Sequence, residues 1–307
     1  MFRSPILNFL ICAAVFVSVP GISVAQDKAK QPEAPVEVTV QAKDGFNISA
    51  TWFEGKAGKE AAAIIMLHDI GRDRTDYLDL AAYYAGNGHC VIVPDLRGHG
   101  KSTVDPAGNE FKPDRFQKAQ VAAMQADIEA CKKFLIQKND EEICNIEYLM
   151  VIADGATCLP ALGWCVLDWS FVPTTIKNGQ DVKGLIMMNP DRSYRGLSAN
   201  QALRTPLISG KQAPNPLDIM IIVGSGNRDK LKDAKGYYST IANARNKRDE
   251  EDDFNKHDVF LREVNSSALH REFLERNPQT VPEYTFDLLE FRILNNTDYA
   301  WKLRKAE

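Results

Sequence analysis

Two apolar runs, each ending in a short loop, constrain this chain more than anything else in it. Residues 61–67 are apolar throughout and lead into His68-Asp69-Ile70-Gly71. Residues 90–94 form a second such run and lead into Asp95-Leu96-Arg97-Gly98-His99-Gly100-Lys101-Ser102. A run that is apolar at every position suits a strand buried on both faces, as in parallel sheets. Between the two runs, residues 77–86 carry apolar side chains at helical spacing, and Gly86-Asn87-Gly88 stops that helix. Strand, helix, strand in this order makes a parallel crossover.

The remaining elements repeat the pattern. Residues 36–41 and 46–53 flank the Asp44-Gly45 turn and read as a hairpin. Further apolar strands are expected at 146–153, 182–188, 219–223 and 259–264, and helices at 116–136, 156–167, 230–244 and 282–294. The gap between the strands ending near Asn189 and starting near Asp218 has room for an ordinary loop or a couple of small helices. The cluster from Arg245 to Asp253 is dense in both charges and reads as a solvated loop.

The two opening loops resemble those of the α/β-hydrolase superfamily, in which the third strand ends in a His-Gly loop and the fourth in Asp-x-Arg-Gly-His-Gly-x-Ser. The similarity is to the lidless branch of serine aminopeptidases and esterases, and it covers most of residues 36–295. It implies an α/β-hydrolase fold: a mostly parallel central sheet with an antiparallel N-terminal hairpin, helices on both faces, and a minimal lid or none.

The first residues read as an export signal. Arg3 gives a positive start, residues 6–19 are apolar apart from Asn8 and Ser18, Pro20-Gly21 breaks the run, and Ser23-Val24-Ala25 precedes Gln26 as a small-residue cleavage site. The expected organisation is a signal peptide over 1–25, a flexible leader over 26–35, the α/β-hydrolase-like domain over 36–299 and a C-terminal tail over 300–307. Cleavage leaves no membrane span and places the protein outside the cell or in the periplasm. The net charge of −4 argues against a nucleic-acid partner. Of the cysteines beyond the signal, Cys131 with Cys144 is the pair to test for a disulfide, and none has the spacing of a zinc site. No cofactor motif occurs.

In this superfamily the nucleophile stands on a tight strand-to-helix turn, usually Gly-x-Ser-x-Gly. The matching turn, Ile152-Ala153-Asp154-Gly155-Ala156-Thr157, holds no serine. Two registers are open. One puts Asp154 at the nucleophile position, as in haloalkane dehalogenases and epoxide hydrolases. The other puts Gly155 there, flanked by Ala153 and Thr157. The first is preferred, because Asp154 is the first polar side chain after the strand. A helix N-cap explains Asp154 equally, and more simply. The acid position, Gly224-Ser225-Gly226-Asn227, ends in an amide that can orient an imidazole but cannot stabilise its cation; Asp191 and Asp229 are possible substitutes. His270 is the histidine in place after the last strand, and His257 has no expected role. The oxyanion hole would use backbone N–H groups around His68, Asp69 and Ile70 and at Gly155. Asp69 replaces the usual glycine there, and its charge would oppose an oxyanion unless it pointed away. Arg97 is expected to pair with a carboxylate such as Asp95. Trp164, Trp169 and Phe171 are candidates to line a pocket beside the elbow helix.

Three functions follow. One is a secreted, catalytically impaired homologue of esterases and serine aminopeptidases that keeps a cleft for a small molecule. The second is a hydrolase using Asp154 as carboxylate nucleophile and His270 as base, on an ester, halide or epoxide. The third is a serine hydrolase using Ser102 or Ser225, neither of which sits on the elbow.

Overall fold

In the computed structural model, residues 34–171, 177–211, 217–246, 254 and 257–304 are described. The expected signal peptide, most of the expected leader and most of the expected charged loop from Arg245 to Asp253 lie outside them; Arg245 itself is buried, donating to the Ile208 and Leu217 carbonyls. The described residues belong to one compact unit, Gln31–Glu307.

Its centre is an 8-stranded sheet in the order β1-β2-β4-β3-β5-β6-β9-β10. The strands are β1 (Val36–Gln41), β2 (Asn47–Phe53), β3 (Ala62–Leu67), β4 (Cys90–Pro94), β5 (Asn145–Asp154), β6 (Val182–Met188), β9 (Asp218–Gly224) and β10 (Val259–Val264). A two-stranded ribbon, β7 (Ser193–Tyr194) and β8 (Leu197–Ser198), stands apart from it. Within the 8-stranded sheet, β1 and β2 form the antiparallel hairpin, β2 runs antiparallel to β4, and every other pairing is parallel. This is the architecture expected of the α/β-hydrolase fold.

Side-chain parity explains the continuous apolar runs of the central strands. Along β3, Ala63, Ile65 and Leu67 enter the core on one face, and Ala62, Ile64 and Met66 the core on the other. Along β5, Leu149, Val151 and Ala153 follow the first set, and Met150 and Ile152 the second. The first core packs under α2 (Lys118–Asp140), α3 (Cys158–Ser170) and α5 (Arg228–Ala244). The second packs under α1 (Leu78–Gly86), α6 (His270–Arg276) and α7 (Thr280–Leu288). Asp154, the next even position on β5, therefore points to the side of α6.

Several expectations need adjusting. α2 begins at Lys118, where Gln117 and Gln120 form a capping box, and continues to Asp140. The last helix divides into α7 and a π-helical turn, Leu289–Leu294. The segment between β6 and β9 holds the small ribbon and a single-turn α4 (Asn200–Leu203), so its described part carries no large lid. The described part of the C-terminal tail is docked: Trp301 Nε1 donates to the Asn139 carbonyl at 3.3 Å, and buried Arg304 reaches Asp181 at 2.6 Å and Glu147 at 3.1 Å.

Cys131 and Cys144 do not bond; Cys90, Cys131, Cys144, Cys158 and Cys165 are all free and buried. The Cys144 thiol lies against Cys90, and that contact together with burial pushes it well above the ordinary thiol range. Arg97 does not pair with Asp95. It donates from Nη2 to Asp127 at 2.6 Å and from Nη1 to Asp44 at 2.7 Å, joining α2 and the hairpin turn to the loop after β4. Asp95 instead accepts the Arg74 and Lys101 N–H groups at 3.0 and 2.8 Å. Among the described residues, no helix is long and apolar enough to cross a membrane.

Candidate functional site

The carboxyl ends of β3 and β5 and the start of α6 bring Asp69, Asp154, Gly155 and His270 together. β5 stays extended through Asp154, at φ −119° and ψ 146°. The left-handed backbone falls on Gly155, at φ +53°. The sharp elbow is thus centred on Gly155, flanked by Ala153 and Thr157, and the preferred register, with Asp154 at the bend, is not the one the backbone adopts. The N-cap account of Asp154 also fails, since its side chain makes no cap hydrogen bond. Its Oδ2 accepts instead from His270 Nδ1 at 2.8 Å, and its Oδ1 is buried without a hydrogen bond among the described residues.

His270 opens α6 with a positive φ of +55°, a conformation that costs a non-glycine residue roughly 1–2 kcal/mol. That backbone turns the ring inward to Asp154, while its side chain stays 25% exposed. Nδ1 also lies 3.8 Å from Asp69 Oδ2. Burial alone would lower the imidazole. The hydrogen bond to Asp154 and the charges of Asp154 and Asp69 outweigh burial and hold His270 above its ordinary value of 6.5.

Asp69 does not point away. Its Oδ1 accepts the Ile70 N–H at 2.7 Å and the Ala156 N–H at 2.8 Å. These donors come from the loop after β3 and from the residue after the elbow, the two sources an oxyanion hole draws on. A side-chain carboxylate therefore fills the hole. It also fills the space beside the elbow, since a Cβ built on Gly155 would lie 2.1 Å from Asp69 Oδ2. Burial first and the Asp154 charge second raise Asp69 to about 6, against the pull of His270. The Gly155 N–H, expected in the hole, is not the donor used; the Ala156 N–H is.

His68 holds this arrangement from behind. Its Nε2 accepts the Leu96 N–H at 3.0 Å, and its Nδ1 donates to the Asp69 carbonyl at 2.8 Å. Those partners require a neutral ring, and burial, ahead of the charge of His99, pushes His68 down to about 3. His99 repeats the device: Nε2 accepts the Gly71 N–H at 2.9 Å and Nδ1 donates to the Arg97 carbonyl at 3.0 Å. The two rings meet edge to face with centroids 5.0 Å apart. They stitch the loop after β3 to the loop after β4, so His68 is a positioning residue with no free nitrogen for chemistry.

The other polar candidates make their hydrogen bonds and ion pairs with groups other than the imidazole. Asn227 Oδ1 accepts the Lys230 N–H at 3.2 Å and caps α5. Asp191 pairs with Lys230 Nζ at 2.7 Å, and its N–H donates to the Gly155 carbonyl at 3.1 Å. Asp229 lies in the first turn of α5. Ser102 Oγ accepts the Ser49 N–H at 2.9 Å, and Ser225 Oγ donates to the Val264 carbonyl at 3.2 Å. Trp164 is core, with Nε1 donating to Glu129 at 3.0 Å. Trp169 Nε1 donates to the Val182 carbonyl at 2.8 Å.

Sequence reasoning missed Tyr77 and Lys230. The buried Tyr77 phenol borders Asp154; burial first and that charge second raise it well above 10. Nothing in its local sequence signals the contact. Among the described residues, clefts of about 310, 510 and 210 Å³ lie against α1 and α6, between α2 and α3, and beside α4. Phe171 lines the second. None of the three borders Asp154, Gly155 or His270. Among the described residues, no group of His, Cys, Asp and Glu is arranged to hold a metal ion.

No protein-family model matches this chain, and no curated protein does. Solved structures do. An esterase of Pyrococcus furiosus matches with a TM-score of 0.60 at 14% identity, over 85% of this chain and 92% of that one. A dienelactone hydrolase from Anabaena variabilis matches with a TM-score of 0.55 at 11% identity, over 83% and 98%. A fungal esterase from Rhizomucor miehei matches with a TM-score of 0.53 at 11% identity, over 86% of each chain. At these identities the likeness is one of fold. The chain has the α/β-hydrolase fold, and these structural neighbours are hydrolases.

Proposed function

We propose that this is an exported α/β-hydrolase-fold protein without hydrolytic activity, whose former catalytic centre is a closed cluster of Asp69, His270 and Asp154. One observation carries the reading: Asp69 Oδ1 accepts both the Ile70 and Ala156 N–H groups, at 2.7 and 2.8 Å. Acyl transfer stabilises a developing oxyanion with such donors, and losing one costs about 10²–10³ in turnover. A carboxylate seated on both removes them and adds charge repulsion. The elbow residue Gly155 brings no hydroxyl, and the acid position is a helix cap at Asn227.

The carboxylate-nucleophile alternative draws less support. Asp154 is 1% exposed, and the oxygen nearest His270 accepts that ring's proton. A base meant to activate water against an Asp154 ester would have to face the ester carbon, not be bonded to the nucleophile's own oxygen.

Incubation with short-chain esters and peptide amides tests the proposal. No turnover above the solvent rate is expected. Turnover that His270→Ala abolishes would overturn it. Export is tested by N-terminal sequencing of the processed protein, which should begin at Gln26; a retained Met1 would refute cleavage.

A further inference from the structure

The pair of N–H groups at Ile70 and Ala156 is an anion site with an occupant. Both converge on a single oxygen, Asp69 Oδ1. The second oxygen, Oδ2, lies 3.8 Å from His270 Nδ1. Gly155, with no Cβ, leaves the volume of one carboxyl group beside them, since any Cβ there would fall 2.1 Å from Asp69 Oδ2. The occupant is tethered by its own backbone and borders solvent: the Asp69 side chain is 12% exposed and His270 25%.

We infer that this cradle binds a small external carboxylate in competition with Asp69, and that acid opens it by neutralising Asp69. The inference deepens the proposed function at the same site, since it takes the hole as plugged from within. A neutral Asp69 carboxyl has only weak hold on two N–H donors. It has somewhere to turn: the Asp154 carboxylate, bonded through Oδ2 to His270 and bordered by the Tyr77 phenol, keeps lone pairs on its buried Oδ1 that can accept its proton. An incoming carboxylate takes the two N–H donors and faces His270. No covalent step is involved, because the elbow supplies no nucleophile.

The charged and titratable surroundings favour this exchange. From β5, Asp154 repels the Asp69 charge and raises its proton affinity; from α6, His270 opposes that; together with burial they leave Asp69 at about 6. From α5, Lys230 faces both Asp69 and Asp154 while paired to Asp191 after β6. Arg72, on the loop after β3, is held by Asp76 at 2.6 Å and adds a positive field at His270. Cys158 of α3 and Tyr77 are buried close by, and their own groups are pushed up, so neither ionises in this range. His270 stays the cation of the site on the acid side.

The test uses formate, which remains ionised throughout, and reads the Ile70 and Ala156 backbone amides by NMR on the full processed chain. Formate should shift both amides, with affinity roughly 30-fold higher near pH 5 than near pH 7.5, from the protonated fraction of a group titrating at about 6. Asp69→Gly should bind at both pH values with a much smaller ratio, the remainder following the charge of His270. Without any substitution, both amides of the free protein should titrate together with a midpoint near 6. No formate response at the acid pH, a ratio undiminished in Asp69→Gly, or independent titration of the two amides would each overturn the inference. The non-hydrolytic reading is judged separately, on ester turnover, so failure of formate binding leaves it standing.

Discussion

A side chain added at Gly155 measures how firmly Asp69 holds the elbow. In Gly155→Ala the new Cβ would sit 2.1 Å from Asp69 Oδ2, 2.3 Å from Cγ and 2.6 Å from Oδ1. Contacts that close do not survive, so the carboxylate must leave. Leaving breaks two charge-assisted hydrogen bonds, each worth roughly 1.5–3 kcal/mol, less what the carboxylate regains from water. The φ of +53° adds about 1–2 kcal/mol for any residue with a Cβ. The expected loss of stability is about 3–5 kcal/mol. In an Asp69→Gly background only the backbone term, about 1–2 kcal/mol, should remain. A double-mutant cycle by urea unfolding should therefore give a coupling of about 2 kcal/mol or more, with the double variant more stable than the sum of the singles predicts. Additivity within about 0.5 kcal/mol would refute the placement of Asp69 in the hole.

Other perturbations have equally definite outcomes. Asp69 is raised to about 6 from 3.8, so the stability it contributes is complete below about 4 and is lost as pH rises through about 6. His270 is raised above 6.5, so its share is complete below 6.5 and is lost as pH climbs through the raised value. Urea midpoints should fall across both windows, and Asp69→Asn should flatten the lower one only; an unchanged slope between about 4 and 6 would contradict the assignment. Arg97→Ala should cost about 3–5 kcal/mol in unfolding assays, because it strands buried Asp127, which burial holds at about 6 even with Arg97 beside it. Arg304→Ala should cost less, about 2 kcal/mol, since Lys132 and Lys177 still face Asp181 at 2.9 and 3.1 Å; no measurable change would mean the tail is not docked.

Most of the scaffold is legible in the sequence because it rests on local patterns. Continuous apolar runs mark β3, β4 and most of β9, and the Asp44-Gly45 turn marks the hairpin. The site is less legible because its determinants are not local. Asp69 is visible as a departure from glycine, but whether its carboxylate turns toward the hole depends on Ala156, 87 positions away. The elbow register depends on which residue takes the left-handed backbone, and polarity pointed to Asp154 where conformation selects Gly155. The β5 parity that aims Asp154 at α6 could have been counted from Leu149 onward, and would have argued against the cap. Arg97 finds Asp127 across 30 positions, beyond the reach of any turn rule that suggests Asp95.

Reaction of the native protein with a serine-directed fluorophosphonate, read by intact-mass spectrometry, reports whether the elbow can activate any hydroxyl. With Asp69 on both oxyanion donors and glycine at the bend, no adduct should form on any serine, at neutral or mildly acid pH. A stoichiometric phosphonyl adduct that is lost in His270→Ala would contradict the account, because it requires an activated hydroxyl that this arrangement leaves no room for.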